Sequence, residues 1–489
     1  MKTMTFRALA FGITFLTAVS IYGQDAPQDA AITMDNAIRM AILKNLDLQI
    51  ESHTISMART DVARSRGVYN PVFSVSGTGG VLSSTGDPFF DSRYGTAVAS
   101  LSQNLPTGGN IAASTQAGYT SIGTDIPGTI SNDWQSTVGL TLTQPLLKNA
   151  GKDTFELNIT LASNTYRENL ERFRLAAADT VLAAYSSYNH LYTLRRIVES
   201  KTAALKSAQD LLDELSKRPK PGPLHRVEIA NAEYAVAQRR KELVDAERNS
   251  RDTEAGLRYL IGMEPNIRII PIDPPSRAEP PETEDQAVKA ALENRPDLKQ
   301  LRLTLKASEL EERVSRRQKL PELNLTGGGG LNGTGDSLGN SYERIGDHPG
   351  TWWSAGLQFV YPIGNDAAKN DYIKSRIRTM QVRNQIEALA LKIRNEVETD
   401  LRALISARLQ MQVTDKARQT GELRREEYRK NVRARASTVQ ELINAENDLA
   451  LAETAQLEAA EGFANGVAKM WRDTGVLLDR LGVHVDVAR

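Results

Sequence analysis

The 489-residue chain has no cysteine. That removes disulfides, cysteine nucleophiles, Cys-ligated zinc, iron–sulfur clusters and acyl-cysteine lipid anchors together. Charge of one sign is also missing: 60 Lys and Arg face 60 Asp and Glu, whereas a dedicated nucleic-acid binder carries a basic surplus. Histidine is scarce, and His53, His190, His225, His348 and His484 are scattered, with no HExxH and no close pair. Nine methionines show no cluster, so a soft-metal relay has no support. No GxSxG elbow and no Walker loop is present. These absences point away from an enzyme, and no catalytic residue, cofactor or metal-ligand set is expected.

Long apolar runs are missing too, apart from one at the N-terminus. Lys2 and Arg7 are the only charges in the first 23 residues, and Ala8 to Gly23 is apolar before the polar Gln24-Asp25. This reads as a secretory signal peptide (1–23), too short and wrongly flanked for a spanning helix. The mature chain would carry 58 basic and 60 acidic side chains. No later stretch can span a bilayer as a helix, so any membrane insertion after export requires a closed β-barrel.

The chain contains an internal duplication. Residues 33–80 align without gaps with 283–330, an offset of 250 with 13 identities in 48 positions. Thr33 matches Thr283, Asp47-Leu48 matches Asp297-Leu298, Pro71 matches Pro321, and Gly79-Gly80 matches Gly329-Gly330. Farther on, Asn231-Ala-Glu matches Asn444-Ala-Glu and Gly262 matches Gly475, both at offset 213. The first repeat is assigned to 24–262, the second to 283–475 and a tail to 476–489. Between the repeats, 263–282 is rich in proline and reads as a linker.

Each repeat opens with a segment expected to be one helix of about 35 residues, starting after an N-cap threonine (Thr33, Thr283) and stopping before Pro71 or Pro321. A β segment follows. Residues 72–145 hold five charged side chains in 74, with 22 Ser/Thr and 11 Gly, and 322–361 hold ten Gly in 40. Trp134, Val138, Leu140 and Leu142 alternate with Gln135, Thr137, Thr141 and Thr143; Trp353, Ala355, Leu357, Phe359 and Tyr361 alternate with Ser354, Gly356 and Gln358. Alternation over about ten residues, small polar loops and aromatics near strand ends are the marks of outer-membrane barrel strands. Trp134, Trp352, Trp353, Phe359 and Tyr361 are the candidate aromatic girdle. Gly328 to Gly333 fits GxGxxG formally, but Gly, Asn and Ser follow it instead of a helix, which favours a barrel loop over a nucleotide site.

Then come rods. Residues 154–217 and 366–420 run without Pro or Gly, and 64 helical residues span about 96 Å. Ile386, Leu389, Ile393, Val397, Leu401 and Leu404 step by three and four, the spacing of a coiled-coil seam. Each rod turns near 218–224 or 431–437 and returns as a shorter helix, giving hairpins over 154–262 and 366–475. Gly262 and Gly475 stand at the expected C′ positions. Four strands per chain cannot close a barrel, and an open edge is not tolerated in lipid. Several copies must therefore pool strands, and the rods beneath would form a helical tube.

This order of elements resembles the TolC family of outer-membrane efflux and secretion channels over about residues 30–475. The carriers are the paired opening segments, Leu142-Thr-Gln-Pro-Leu-Leu and Phe359-Val-Tyr-Pro-Ile, and the hairpin segments starting at Arg226 and Thr438. The resemblance implies an α+β membrane protein: a duplicated helix–β-hairpin–long helical hairpin unit that trimerises into an outer-membrane β-barrel of twelve strands, continued by a periplasmic α-helical barrel. It also implies a passive conduit for small molecules or proteins in a tripartite efflux or type I secretion system, with a periplasmic adaptor and an inner-membrane pump of RND, ABC or MFS type. The first β segment departs from the pattern, with four strand-like runs at about 72–82, 93–104, 110–121 and 134–144. The expectation is four strands in the wall and the extra pair outside it; six would make an eighteen-stranded barrel. The tip, where the resemblance implies gating and partner contact, is basic here: Lys217, Arg218 and Lys220 in one turn, and Arg424, Arg425, Arg429, Lys430, Arg433 and Arg435 near the other. A tip so charged would be less cation-selective than an acidic one. The main rival reading is a periplasmic coiled-coil adaptor or scaffold, against which two hairpins and two charge-poor β segments both count.

Overall fold

A computed structural model describes residues 28–83, 91–123, 131–217, 223–277, 283–434 and 436–483. The expected signal peptide lies outside the described residues.

The opening segment of each repeat is two helices, not the single one expected. In the first, α1 (Met34–Lys44) and α2 (Leu46–Arg66) meet at Asn45, whose backbone is extended and whose side chain accepts from the amides of Asp47 and Leu48. In the second, α6 (Glu284–Asn294) and α7 (Pro296–Gln318) meet at Arg295. Arg295 is extended because a residue before proline avoids the helical region, and Pro296 suits the first helical position. The breaks fall at matching positions of the repeat, so two different sequences produce one kink. Thr33 caps α1 by accepting from the Asn36 amide, and at Thr283 the amide donates to Gln286, so both threonines stand where N-caps were expected.

The charge-poor segments form one antiparallel sheet. Its strands are β2 (Val72–Ser83), β3 (Asp91–Asn104), β4 (Asn110–Gly123), β5 (Ser131–Pro145), β7 (Glu322–Gly335) and β8 (Gly350–Val360), ordered β2-β3-β4-β5-β7-β8. The expectation of an extra hairpin lying outside the sheet is corrected. β3 pairs with β2 on one side and with β4 on the other, and β4 pairs with β5 along its length. Detaching the hairpin would leave four rows of ladder groups unpaired, which an apolar surrounding penalises heavily. Leu105 to Gly109 closes the β3–β4 turn, with Gly108 at φ 87°. The β5–β7 pairing joins the two repeats, with Trp134 opposite Gly335 and Pro145 opposite Asn324. The sheet is open, with β2 and β8 as its edges.

A second, two-stranded parallel sheet was not expected. β1 (Gln28–Ile32) pairs with β6 (Ile267–Pro271), so the proline-rich segment read as linker contains a strand. Tyr188 pins this ribbon: its buried hydroxyl donates to the Ile32 carbonyl at 2.8 Å and accepts from the amides of Ile272 and Asp273 at 2.9 and 3.0 Å.

The rods are as long as the sequence suggests. After the short α3 (Lys152–Phe155), α4 (Leu157–Ser216) runs for 60 residues, and α9 (Asp366–Arg433) runs for 68. At 1.5 Å per residue these are about 90 and 100 Å long. α4 packs along α5 (Pro223–Ile261), and α9 along α10 (Val439–Asp473). Ile393, Val397 and Leu404 of the expected seam are buried with Phe463, Val467 and Met470 of α10. α4 also contacts α10, α2 and α7, which fuses the two hairpins side by side. The short α11 (Leu477–Arg480) closes the described chain. Gly262 and Gly475 have φ of 62° and 75° and end α5 and α10 as expected.

Candidate channel wall and helical tip

Across the sheet, directly paired residues share a face, so polarity can be followed from strand to strand. One face carries Phe73, Val75, Leu101, Ile111, Leu140 and Leu357; the other carries Ser74, Ser100, Ser114, Thr137, Thr141 and Gln358. The apolar face is largely open to its surroundings: Phe73, Leu140, Leu357 and Phe359 are all exposed. An exposed, continuous apolar sheet face needs an apolar phase or a partner to cover it. On the polar face, between the two rims, the described residues include no charged side chain; Asp133 and Glu322 stand at the strand ends.

The proposed girdle divides. Trp134 and Trp353 lie on the apolar face three residues inside the loop-proximal ends of β5 and β8, and Trp353 is 84% exposed. Trp134 stacks obliquely on Tyr119, centroids 5.0 Å apart. Phe359 sits on the same face near the helix-proximal end of β8, and the exposed Tyr361 follows just beyond the strand. Trp352 does not belong with them. It faces the polar side, where its ring covers Gly139, Gly328 and Gly330; a Cβ on Gly139 would come within 2.5 Å of the indole. Alternation forces this split, since neighbours in a strand point to opposite faces. The GxGxxG segment thus lies in the interior of β7, its glycines making room for an indole.

Sequence reasoning missed α8 (Leu338–Asp347), a helix in the β7–β8 connection. It folds back onto the apolar face. The hydroxyls of Ser341 and Ser136 are 2.6 Å apart and buried, and Tyr342 meets the Thr115 hydroxyl at 2.8 Å. Gly333 and Gly335 provide the space: a Cβ at Gly333 would lie 2.2 Å from the Ser341 carbonyl. The signal in sequence was Ser337, whose side chain caps the helix by accepting from the Asn340 amide.

At the far end of the rods, Leu215, Ala232, Val432, Val439, Leu442 and Ile443 form one buried cluster that holds both hairpin ends together. Thr438 and Glu441 form a capping box at the start of α10. Several basic residues of the tip are neutralised locally. Lys217 pairs with Asp213, Arg424 with Asp448 at 2.8 Å, Lys430 with Glu427 at 2.9 Å and Arg425 with Glu426 at 3.8 Å. Arg429 is exposed. Arg218, Lys220 and Arg435 lie outside the described residues, as does the side chain of Arg433. Among the described residues of the tip, Lys217, Arg424, Arg425 and Lys430 thus each stand beside a carboxylate.

Midway along α9, between α4, α9 and α10, sits a charge cluster in which Asp400 and Asp473 are buried while Lys469 and Asp179 reach solvent. Lys469 reaches Asp400 and, at 3.6 Å, Asp473; Arg472 bonds Asp473 at 2.6 Å and Asp179 at 2.7 Å. Burial, reinforced by the neighbouring Asp473, pushes the Asp400 carboxyl up to about 6. Burial acts on Asp473 in the same direction, but hydrogen bonds from Asp400 and Arg472 outweigh it and hold that carboxylate below its ordinary range.

Among the described residues no helix is long and apolar enough to cross a membrane, and no group of three or more potential ligands is placed to hold a metal. No family model and no curated protein matches the sequence. Solved structures do match the whole shape. The CmeC outer membrane channel of Campylobacter jejuni is 15% identical over 97% of this chain and 94% of its own, with a TM-score of 0.62. The open-state MtrE outer membrane channel of Neisseria gonorrhoeae is 15% identical over 91% and 89%, at 0.65. The chain has the fold of the TolC-type outer-membrane channels. The outer membrane protein VceC of Vibrio cholerae gives the same result, with 13% identity over 90% of this chain and 96% of its own and a TM-score of 0.65.

Proposed function

We propose that the chain is one subunit of an outer-membrane channel, a passive conduit for small molecules or proteins in a tripartite efflux or type I secretion system. The observation that carries this reading is the open sheet with one exposed apolar face and one polar face that, among the described residues, is uncharged between its rims, set at the end of rods about 90–100 Å long. An open edge cannot face lipid, so on this reading copies of the chain join edge to edge; three is the number that the family resemblance implies. Where α8 does not cover it, the apolar face then meets lipid, with Trp134 and Trp353 toward one interface and Phe359 and Tyr361 toward the other. The polar face lines the pore, and the rods enclose a periplasmic tunnel. On this reading a periplasmic adaptor and an inner-membrane pump engage the hairpin ends, which the cluster around Leu215 and Val432 holds together, and open the tip; Lys217, Arg218, Lys220, Arg429, Arg433 and Arg435 are the charges proposed to take part in that contact. The conduit supplies no energy of its own.

The test is fractionation followed by gel mobility with and without boiling. The expected outcome is an outer-membrane protein whose unboiled oligomer migrates differently from the boiled chain and gives discrete conductance steps in planar bilayers. A water-soluble monomer that never partitions into detergent would favour the adaptor reading instead.

A further inference from the structure

Resting on that trimeric-channel reading, we infer that the pore wall is built from six strands per subunit, so that three subunits close an eighteen-stranded barrel that sorts cargo by size. Three features of the sheet carry this. First, β3 and β4 are paired on both sides, register by register, from Val72–Ser102 through Asn110–Thr143; they are interior strands of the wall. Second, the polarity of the sheet continues through them, with Thr115, Gln103 and, toward one strand end, Arg93 among the polar positions on the apolar face. Ala99 and Ala113 continue the apolar face between Val75 and Leu140, while Ser100 and Ser114 continue the polar one. A hairpin standing outside a wall would have no reason to keep that phase. Third, the strands alternate in direction, so the free edges β2 and β8 run oppositely. A β8 edge meeting the β2 edge of the next subunit is then antiparallel, and Phe73 and Phe359 bring exposed apolar groups to the same side of that joint.

At a strand spacing of about 4.8 Å and a tilt of about 40°, eighteen strands enclose a backbone diameter of about 36 Å, against about 24 Å for twelve. With no charged side chain between the rims on the described polar face, the wall offers hydroxyls and amides to whatever passes, and width is its main filter.

The absence of cysteine makes the arrangement directly testable. Thr78→Cys with Thr96→Cys places thiols on paired residues of β2 and β3. Ser76→Cys with Thr137→Cys would face each other only if β2 lay beside β5; in the six-stranded sheet three strand spacings, about 14 Å, separate them. The expected result, in outer membranes and on the unboiled oligomer, is a disulfide in the first pair and none in the second. Electron cryomicroscopy of the wild-type oligomer should count eighteen strands. Replacing 83–130 by an Asn-Gly turn, which sets Leu82 opposite Ser131, should lower the polymer diameter excluded from the outer side by about 1.5-fold. A twelve-stranded wall, or a 76–137 disulfide in place of the 78–96 one, overturns the inference while leaving the channel intact. Failure to find any membrane oligomer overturns the channel reading itself.

Discussion

Asp400 and Asp473 are two carboxyls of unequal affinity for a single proton, held where the long helix α9 packs on α10. Asp400 titrates near 6 because it is buried beside Asp473, and Lys469 only partly offsets that. A carboxyl whose pKa is raised on folding stabilises the fold in its protonated form. That contribution is complete below its unfolded value of about 3.9 and is lost as pH rises through about 6. Asp473 acts in the opposite sense, but its folded value is lowered, so its loss comes only in more acidic solution. Between pH 5 and 7 the site should therefore weaken the packing of α9 on α10 as pH rises. Asp400→Asn, which cannot ionise, should flatten the dependence of the oligomer's melting midpoint on pH across that window, leaving the midpoint at pH 5 little changed. An unaltered slope in the variant would show that the cluster does not titrate as described.

At the scale of elements, the repeat is easiest to see where helices stop. Gly262 and Gly475 both take left-handed backbone and both press against the end of the opening helix of their own repeat: a Cβ would lie 2.8 Å from Lys44 Cβ in one case and 2.9 Å from the Asn294 carbonyl carbon in the other. Gly475→Ala should destabilise the subunit by about 1–3 kcal/mol, combining backbone strain with the clash. Gly462→Ala provides the opposite outcome. That glycine lies inside α10 with open space around it, and alanine should stabilise by about 0.5–1 kcal/mol. Thermal or urea unfolding of the two variants checks both signs. These stops were legible because the glycines recur at a fixed offset, as were the rods, the N-cap threonines and the alternating faces of β5 and β8. The kinks at Asn45 and Arg295 were harder to see: the periodic pattern continues through them, and only Pro296 marked one of them. The β1–β6 ribbon was invisible because its strands are five residues each and pair across more than 230 positions, around a tyrosine hydroxyl that reads locally as core. The helix α8 was hidden by its ten residues of mostly polar sequence, and its docking site by small side chains whose purpose appears only when the sheet is assembled.

The whole subunit is amphipathic in two senses, across the sheet and along its length. The polarity of the sheet places Leu140 and Thr141 side by side in β5 yet on opposite faces, with both exposed. If copies close into a barrel, the first meets hydrocarbon and the second meets water. A lysine on the lipid face near mid-membrane costs about 2–4 kcal/mol, whereas one facing the lumen can remain hydrated. Leu140→Lys should therefore reduce the fraction of protein recovered as the unboiled oligomer by tenfold or more, with the remainder degraded or aggregated in the periplasm. Thr141→Lys should assemble normally and shift the channel's preference toward anions, since the lumen near it carries no opposing charge. Quantifying both bands in the same membranes, together with reversal potentials for the assembled variant, tests the assignment of faces independently of strand number or subunit count. Equal assembly of the two variants would mean that the apolar face is covered by protein and not by lipid, and the sheet would then have to close against a partner other than its own copies.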